Sequence, residues 1–341
     1  MTIPEGFDPK QAHVASQWAH DRPLNACRFD PAGRFAFCGS EDALVERFNL
    51  ADGVRTIFSG GHQTWVRAIA YSKDGAQAIS AGCDGKITWW ESAAAEPKPI
   101  RSIEAHKGWI RTLDVSPDGT QLVSGGNDNV VRLWNIANGS LVREFTGHTR
   151  HVYNVAFHPE GQILFSGDLT GALKQWDVAT GKEVRSFDAK PLHSFNDGQK
   201  VDFGGIRAIA VSPDGKWLVA GGLHKATNPL GAVHEPLVLL FDLQNQTEEG
   251  LKPVRQLIAD GITGGVIWRL KWLSDGSIMG LSGGSTGGFL LFWKPDTEKD
   301  YHRFALPSLA RDMDLHPDGL QVATAHHDKH LRVTRLAAKA T

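Results

Sequence analysis

A short turn, Ser-Pro-Asp-Gly or a close variant, recurs along the chain, and its closing glycine stands at Gly33, Gly75, Gly119, Gly161, Gly215, Gly276 and Gly319. Successive glycines are 42, 44, 42, 54, 61 and 43 residues apart. A unit of that length that repeats along a chain cannot bury its apolar face alone and must stack on its neighbours. Each turn lies between two stretches of alternating apolar and polar residues. In the second unit the alternation predicts strands over 66–71, 76–81, 87–90 and 100–104, with turns at 72–75 and 83–85. Period-two alternation bounded by Gly and Asp turns is the signature of hairpin-connected strands. Helical periodicity is sustained nowhere.

Seven units of this size predict an all-β chain folded as a single seven-bladed propeller over residues 1–341. Abundant glycine (37) and tryptophan (11) beside 3 methionines fit that class. The seventh unit lacks an outer strand after its third, at 331–336. Residues 11–20 are expected to supply it, pairing onto the last blade and removing an open sheet edge.

The motifs inside the units resemble the WD-repeat β-propeller family. Gly61-His62 and Gly147-His148 match the family's Gly-His pair, with Ala105-His106 as a variant. Third strands end in Trp90-Glu91, Trp134-Asn135, Trp176-Asp177, Phe241-Asp242 and Trp293-Lys294. The resemblance implies a buried structural tetrad of His, Ser/Thr, Asp and Trp. It is complete in His62, Ser80, Asp84 and Trp90, and again in His106, Ser124, Asp128 and Trp134. Such a set can satisfy its own hydrogen bonds. The other blades depart: Cys38 and Phe48 in blade one, Thr170 at the Asp position of blade four, and Glu235 and Gly287 in blades five and six.

Aligning the units on their turns places one residue of each first strand in an equivalent slot at the face where that strand enters, here called the top. These are Asn25, Arg67, Arg111, Tyr153, Arg207, Trp268 and Arg311. Two residues earlier stand Pro23, Trp65, Trp109, His151, Gly205, Val266 and Leu309. The resemblance implies that these slots line a top-face ligand site. The two longest gaps arise from extra residues at 188–205 and 223–236, both projecting from the top, where long loops on a rigid scaffold concentrate function. The alternative for the arginines is a solvated channel mouth, or pairing with loop carboxylates such as Asp197 and Asp202.

Lys+Arg is 36 and Asp+Glu 38, a net charge of −2, so any charged site must be a local patch. That balance, with no basic tail, argues against nucleic acid and gives no pull toward a membrane. Cys27, Cys38 and Cys83 have no metal or disulfide spacing, and the strongest apolar run, 236–241, is far too short to cross a bilayer. A cytoplasmic location is expected. No catalytic motif appears, and no cofactor or metal is expected. His326, His327, Asp328 and His330 are dense in ligand types, but Asp328 falls at the structural turn position. His193, His224 and His234 lie on the long top loops. Asp114 and Asp314 share a channel position with Arg28 and Lys271, which suggests solvation rather than acid–base chemistry.

The reading is a non-catalytic, monomeric scaffold that binds a peptide or protein partner at the top face. An acidic or phosphorylated group would be held by Arg67, Arg111, Arg207 and Arg311, with Trp65, Trp109, Tyr153, Trp268 and Asn25 around it. The alternative is an enzyme or small-molecule binder under the 188–205 and 223–236 loops.

Overall fold

The computed structural model describes residues 3–226 and 234–339. Seven four-stranded antiparallel sheets follow one another, six of them simple meanders from inner to outer strand. The second blade runs Val66–Tyr71, Gln77–Gly82, Lys86–Glu91 and Pro99–Glu104. Among the described residues there is no α-helix, only short 3-10 turns at Pro9–Gln11, Lys190–Leu192 and Glu248–Leu251. The last sheet combines Ala310–Leu315, Gln321–His326 and His330–Arg335 with His13–Ala19, which pairs antiparallel to His330–Arg335.

The recurring turn has a local cause. Ser116 Oγ donates to Asp118 at 2.5 Å and accepts the N–H of Gln121 at 2.9 Å. The N–H of Gly119 closes the turn on the Ser116 carbonyl at 2.8 Å with φ of 78°. A glycine takes that left-handed conformation without a Cβ penalty.

The core lies between blades. Trp89 of blade two is fully buried against Leu113, Leu122 and Trp134 of blade three. Polar struts also cross each seam. On the outer side, Arg101 donates to the Ala137 carbonyl (3.0 Å), Arg143 to Thr180 (3.2 Å) and Arg185 to Asn245 and Leu243 (2.9 and 3.1 Å). Arg47 and Arg255 reach Ser92 and Pro295 in the same sense. In the channel, Asp114 accepts the N–H of Phe157 at 2.7 Å and Asp314 that of Phe29 at 3.0 Å. These two carboxylates are therefore not merely solvated channel groups, as the sequence suggested. Each accepts an otherwise unpaired backbone donor from the next blade's inner strand.

The tetrads correct the sequence reading in one blade. In blades two and three the expected chain runs from Trp90 Nε1 to Ser80 Oγ (2.8 Å), to His62 Nε2 (2.8 Å), and from Nδ1 to Asp84 (3.2 Å), and likewise through Trp134, Ser124, His106 and Asp128 at 2.8, 2.7 and 2.8 Å. Blade four, expected to lack the acid because of Thr170, has a third complete set. Trp176 donates to Ser166 at 2.7 Å, His148 Nε2 lies 2.6 Å from Ser166 Oγ, and its Nδ1 lies 2.9 Å from Asp168.

Candidate functional site: the arginine mouth of the channel

The seven slot residues all line one cavity at the top of the channel. In six blades the slot residue is the unpaired member of a β-bulge. The register skips between Leu24 and Ala26, Val66 and Ala68, Ile110 and Thr112, Val152 and Asn154, Ile267 and Arg269, and Ala310 and Asp312. A bulge releases one residue from the pleat and re-aims its side chain. That explains how Arg111 can begin a strand otherwise built for burial. Its neighbours Ile110 and Thr112 are buried, and at the bulge the Arg111 side chain lines the channel mouth.

Aromatic rings hold two of the guanidinium groups, those of Arg111 and Arg207. Arg207 lies 3.8 Å and Arg111 4.2 Å from the ring centre of Tyr153, so the tyrosine is placed between the two cations. Arg207 is also 5.7 Å from Trp268, whose Nε1 donates to the Gly283 carbonyl at 3.0 Å. Arg111 Nε donates to Asn127 at 2.6 Å, and Arg207 Nε to the Gly204 carbonyl at 3.0 Å. Arg311 donates to Asn25 at 3.0 Å and Glu41 at 3.2 Å. Neither Asp197 nor Asp202 reaches the ring. Asp197 pairs with Lys200 (2.6 Å), and Asp202 with His193 (2.9 Å) and Arg150 (3.4 Å). Among the described residues, Arg67, Arg111 and Arg207 have no carboxylate partner.

This arrangement is electrostatically unbalanced. Burial pushes Arg67 below its ordinary pKa, and the charges of Arg311 and Arg207 push it further. Burial, reinforced by Arg67 and Arg207, pushes Arg111 down to about 10, while burial also lowers Arg207. Two donors at the ring, Arg67 Nε and Asn25 Nδ2, are buried and have no hydrogen-bond partner. Above the ring a recess of about 370 Å³ is lined by Arg67, Arg111, Arg207, Arg311, Trp268 and His234. Trp65 and Trp109 lie outside that lining. They pack on each other with ring centres 6.2 Å apart, and Trp109, 40% exposed, stands 5.4 Å from Arg111.

The 188–205 segment is not an open loop. Its centre is a β-hairpin, His193–Asn196 against Val201–Gly204. In the 223–236 insertion the strands extend to His224 and resume at Glu235, and residues 227–233 lie outside the described residues. His193 Nε2 lies 2.9 Å from Asp202 and His224 3.4 Å from Glu235, while His234 lines the recess, so the three loop histidines stand apart. Among the described residues no three metal-type side chains come together. His326, part of the His-rich run, is buried instead between Thr324 Oγ1 (2.8 Å) and the Ser308 carbonyl (3.0 Å). No helix among the described residues is long and apolar enough to cross a membrane.

Sequence reasoning missed a second tier around the mouth. Immediately after the second strand, the backbone N–H of Glu41, Cys83, Asn127, Leu169 and His327 donates to the carbonyl of Pro23, Trp65, Trp109, His151 and Leu309 respectively. The same turn alignment that found the slots would have found these positions.

Comparison with known proteins accords with this architecture. The family described as WD domain, G-beta repeat matches residues 12–46, 54–91, 97–135, 139–177 and 189–225. The first match begins one residue before the strand that completes the last blade and ends in the third strand of blade one, so sequence repeat and structural blade are offset by one strand. Nuclear distribution protein nudF 2 of Penicillium rubens is 31% identical over 85 residues, 25% of this chain and 18% of that protein. Apoptotic protease-activating factor 1 of Rattus norvegicus is 29% identical over 73 residues, 21% of this chain and 6% of that protein. The chain thus spans less than a fifth of the length of either relative. The family matches cover more than half of the chain, and the protein belongs to the WD40 (G-beta) repeat family.

Proposed function

We propose that this protein is a non-catalytic interaction scaffold whose top face binds a peptide or protein partner through an anionic group, an acidic or phosphorylated side chain. The observation that carries the reading is the arc of Arg67, Arg111 and Arg207. These three cations face one recess and have no carboxylate partner among the described residues, and Tyr153 and Trp268 hold Arg111 and Arg207 in place. Desolvated guanidinium groups with unmet donors cost free energy in the empty site, and a ligand oxyanion that accepts from them offsets that cost. Family membership is consistent with a binding module, since WD-repeat propellers generally bind proteins or peptides. The fold alone does not fix the partner.

The test is an array of acidic and phosphorylated peptides probed with the wild type and with Arg67→Glu/Arg111→Glu, after both are shown to fold. Binding by the wild type that weakens with added salt and is lost in the variant supports the reading. Peptides held equally by both proteins, or binding indifferent to salt, would move the site away from the ring.

A further inference from the structure

Arg311 differs from the other ring arginines in having a carboxylate of its own. Its Nη1 donates to Glu41 Oε1 at 3.2 Å, and the two side chains are only 25% and 18% exposed. Glu41 is held there by the second-tier backbone bond, its N–H donating to the Pro23 carbonyl at 3.1 Å. The equivalent positions carry Cys83, Asn127, Leu169 and His327, so among these five blades only blade one has an acid at this second-tier position, and Asp312, the other acid lining the mouth, is already paired with Arg28 and Arg269 at 2.6 Å each. The Asn127 contact on Arg111 is neutral and leaves that arginine's charge available.

Building on the anion-binding reading above, we propose that Glu41 is a built-in counter-anion that limits how much negative charge the mouth accepts. It neutralises the Arg311 side of the ring. Arg67, Arg111 and Arg207, with the unpartnered Arg67 Nε and Asn25 Nδ2, are left for one oxyanion. The group recognised is therefore a single phosphate monoester rather than two adjacent phosphates. A second phosphoryl group would have to approach Arg311, where a fixed like charge in a half-buried setting opposes it. Glu41 is thus a specificity-determining residue that acts through Arg311.

Inorganic phosphate and pyrophosphate are the probes, titrated by calorimetry into the wild type, Glu41→Gln, Arg311→Gln and Arg67→Gln, each checked for an intact melting transition. Glu41→Gln is expected to tighten pyrophosphate about tenfold, equivalent to ~1.4 kcal/mol, with phosphate changing less than about threefold. Arg311→Gln probes the same pair from the other side: it leaves the Glu41 carboxylate unneutralised at the mouth and should weaken pyrophosphate more than phosphate, whereas Arg67→Gln should weaken phosphate by about tenfold or more. If Arg67→Gln loses phosphate but Glu41→Gln leaves the pyrophosphate-to-phosphate ratio unchanged, the role of Glu41 is overturned and the anion site stands. If the wild type binds neither probe, or Arg67→Gln has no effect, both are overturned.

Discussion

His148 Nδ1 lies 2.9 Å from a carboxylate oxygen of Asp168, although Asp168 is two residues earlier in its unit than the acids of the other tetrads. In blade two the corresponding position is Gly82, and a Cβ built there would lie 2.7 Å from Asp84 Oδ1 and 2.8 Å from His62 Nδ1. The backbone at this point thus aims at the His–Asp contact. The acid either arrives from two residues beyond, with glycine making room, or grows directly from this position. We expect Gly82→Asp to destabilise blade two by crowding two carboxylates, and Asp84→Thr added to it to recover much of the loss by recreating the blade-four arrangement. A double-mutant cycle from urea denaturation measures the coupling, expected at roughly 1–3 kcal/mol. Strict additivity would contradict the geometry.

Arg185 joins blades four and five through two backbone carbonyls, and its guanidinium also lies 4.8 Å from Phe187 while Nε donates to Gln175 at 2.7 Å. Arg185→Ala should cost about 1–2 kcal/mol because two part-buried acceptors lose a charged donor. Arg185→Lys should recover little, since an ammonium cannot span both carbonyls and the glutamine in one plane. Denaturant midpoints of the three proteins decide the point, and full rescue by lysine would reduce the contact to simple charge.

Acid should weaken the fold through His326. Burial, with Arg332 adding to it, pulls its pKa down to about 4, and its side chain is fully buried. The Ser308 carbonyl requires a proton on Nδ1, so Nε2 accepts from Thr324 and the ring is held neutral. Between an unfolded pKa of about 6.5 and the folded value, only the unfolded chain takes up the proton, so stability falls as pH falls, by up to roughly 3 kcal/mol at pH ~4. His20 acts with the opposite sign. Burial lowers it, but Glu46 at 3.0 Å, together with Asp42, more than offsets this and raises it. Its contribution is therefore fully present below the unfolded pKa and is lost as pH rises through the folded one. Unfolding free energies across this range should show a shallower acid slope for His326→Gln than for the wild type, and parallel slopes would exclude the assignment.

The blade count and slots were legible because turn chemistry is local: a positive-φ glycine closes the turn of each unit, with Ser and Asp ahead of it in full at 72–75, 116–119 and 212–215 and a variant elsewhere. The bulges were not legible, since an unpaired residue in a strand carries no mark of its own. Arg111 could be placed at the mouth by alignment but not given its orientation. Asp168 escaped because position was read in place of reach, as two side chains rooted two residues apart can meet the same histidine. The 188–205 segment was recognised by length, but its hairpin pairs strands of only four residues, too short for alternation to show. The pairing of Asp197 and Asp202 away from the ring depends on that hairpin and followed from no spacing.

The strand His13–Ala19 gives the last blade its outer edge, and the contacts around it suggest what its removal would do. Trp18 stacks on Phe48 of blade one with ring centres 5.4 Å apart and planes 22° from parallel. Arg332 Nε donates to Gln17 at 3.2 Å, and the His20 N–H donates to the Lys329 carbonyl at 2.7 Å. Deleting residues 1–20 would strip these contacts and leave His330–Arg335 as an exposed edge with unpaired backbone groups. We expect a large fall in melting temperature and a tendency to aggregate. Trp18→Ala, which keeps the strand but removes the stack, should cost about 3 kcal/mol, the lower end for a large aromatic truncation because this side chain is only half-buried. Thermal melts of both variants separate the two contributions. An unchanged melting temperature in the deletion would mean that the ring holds without its seventh outer strand.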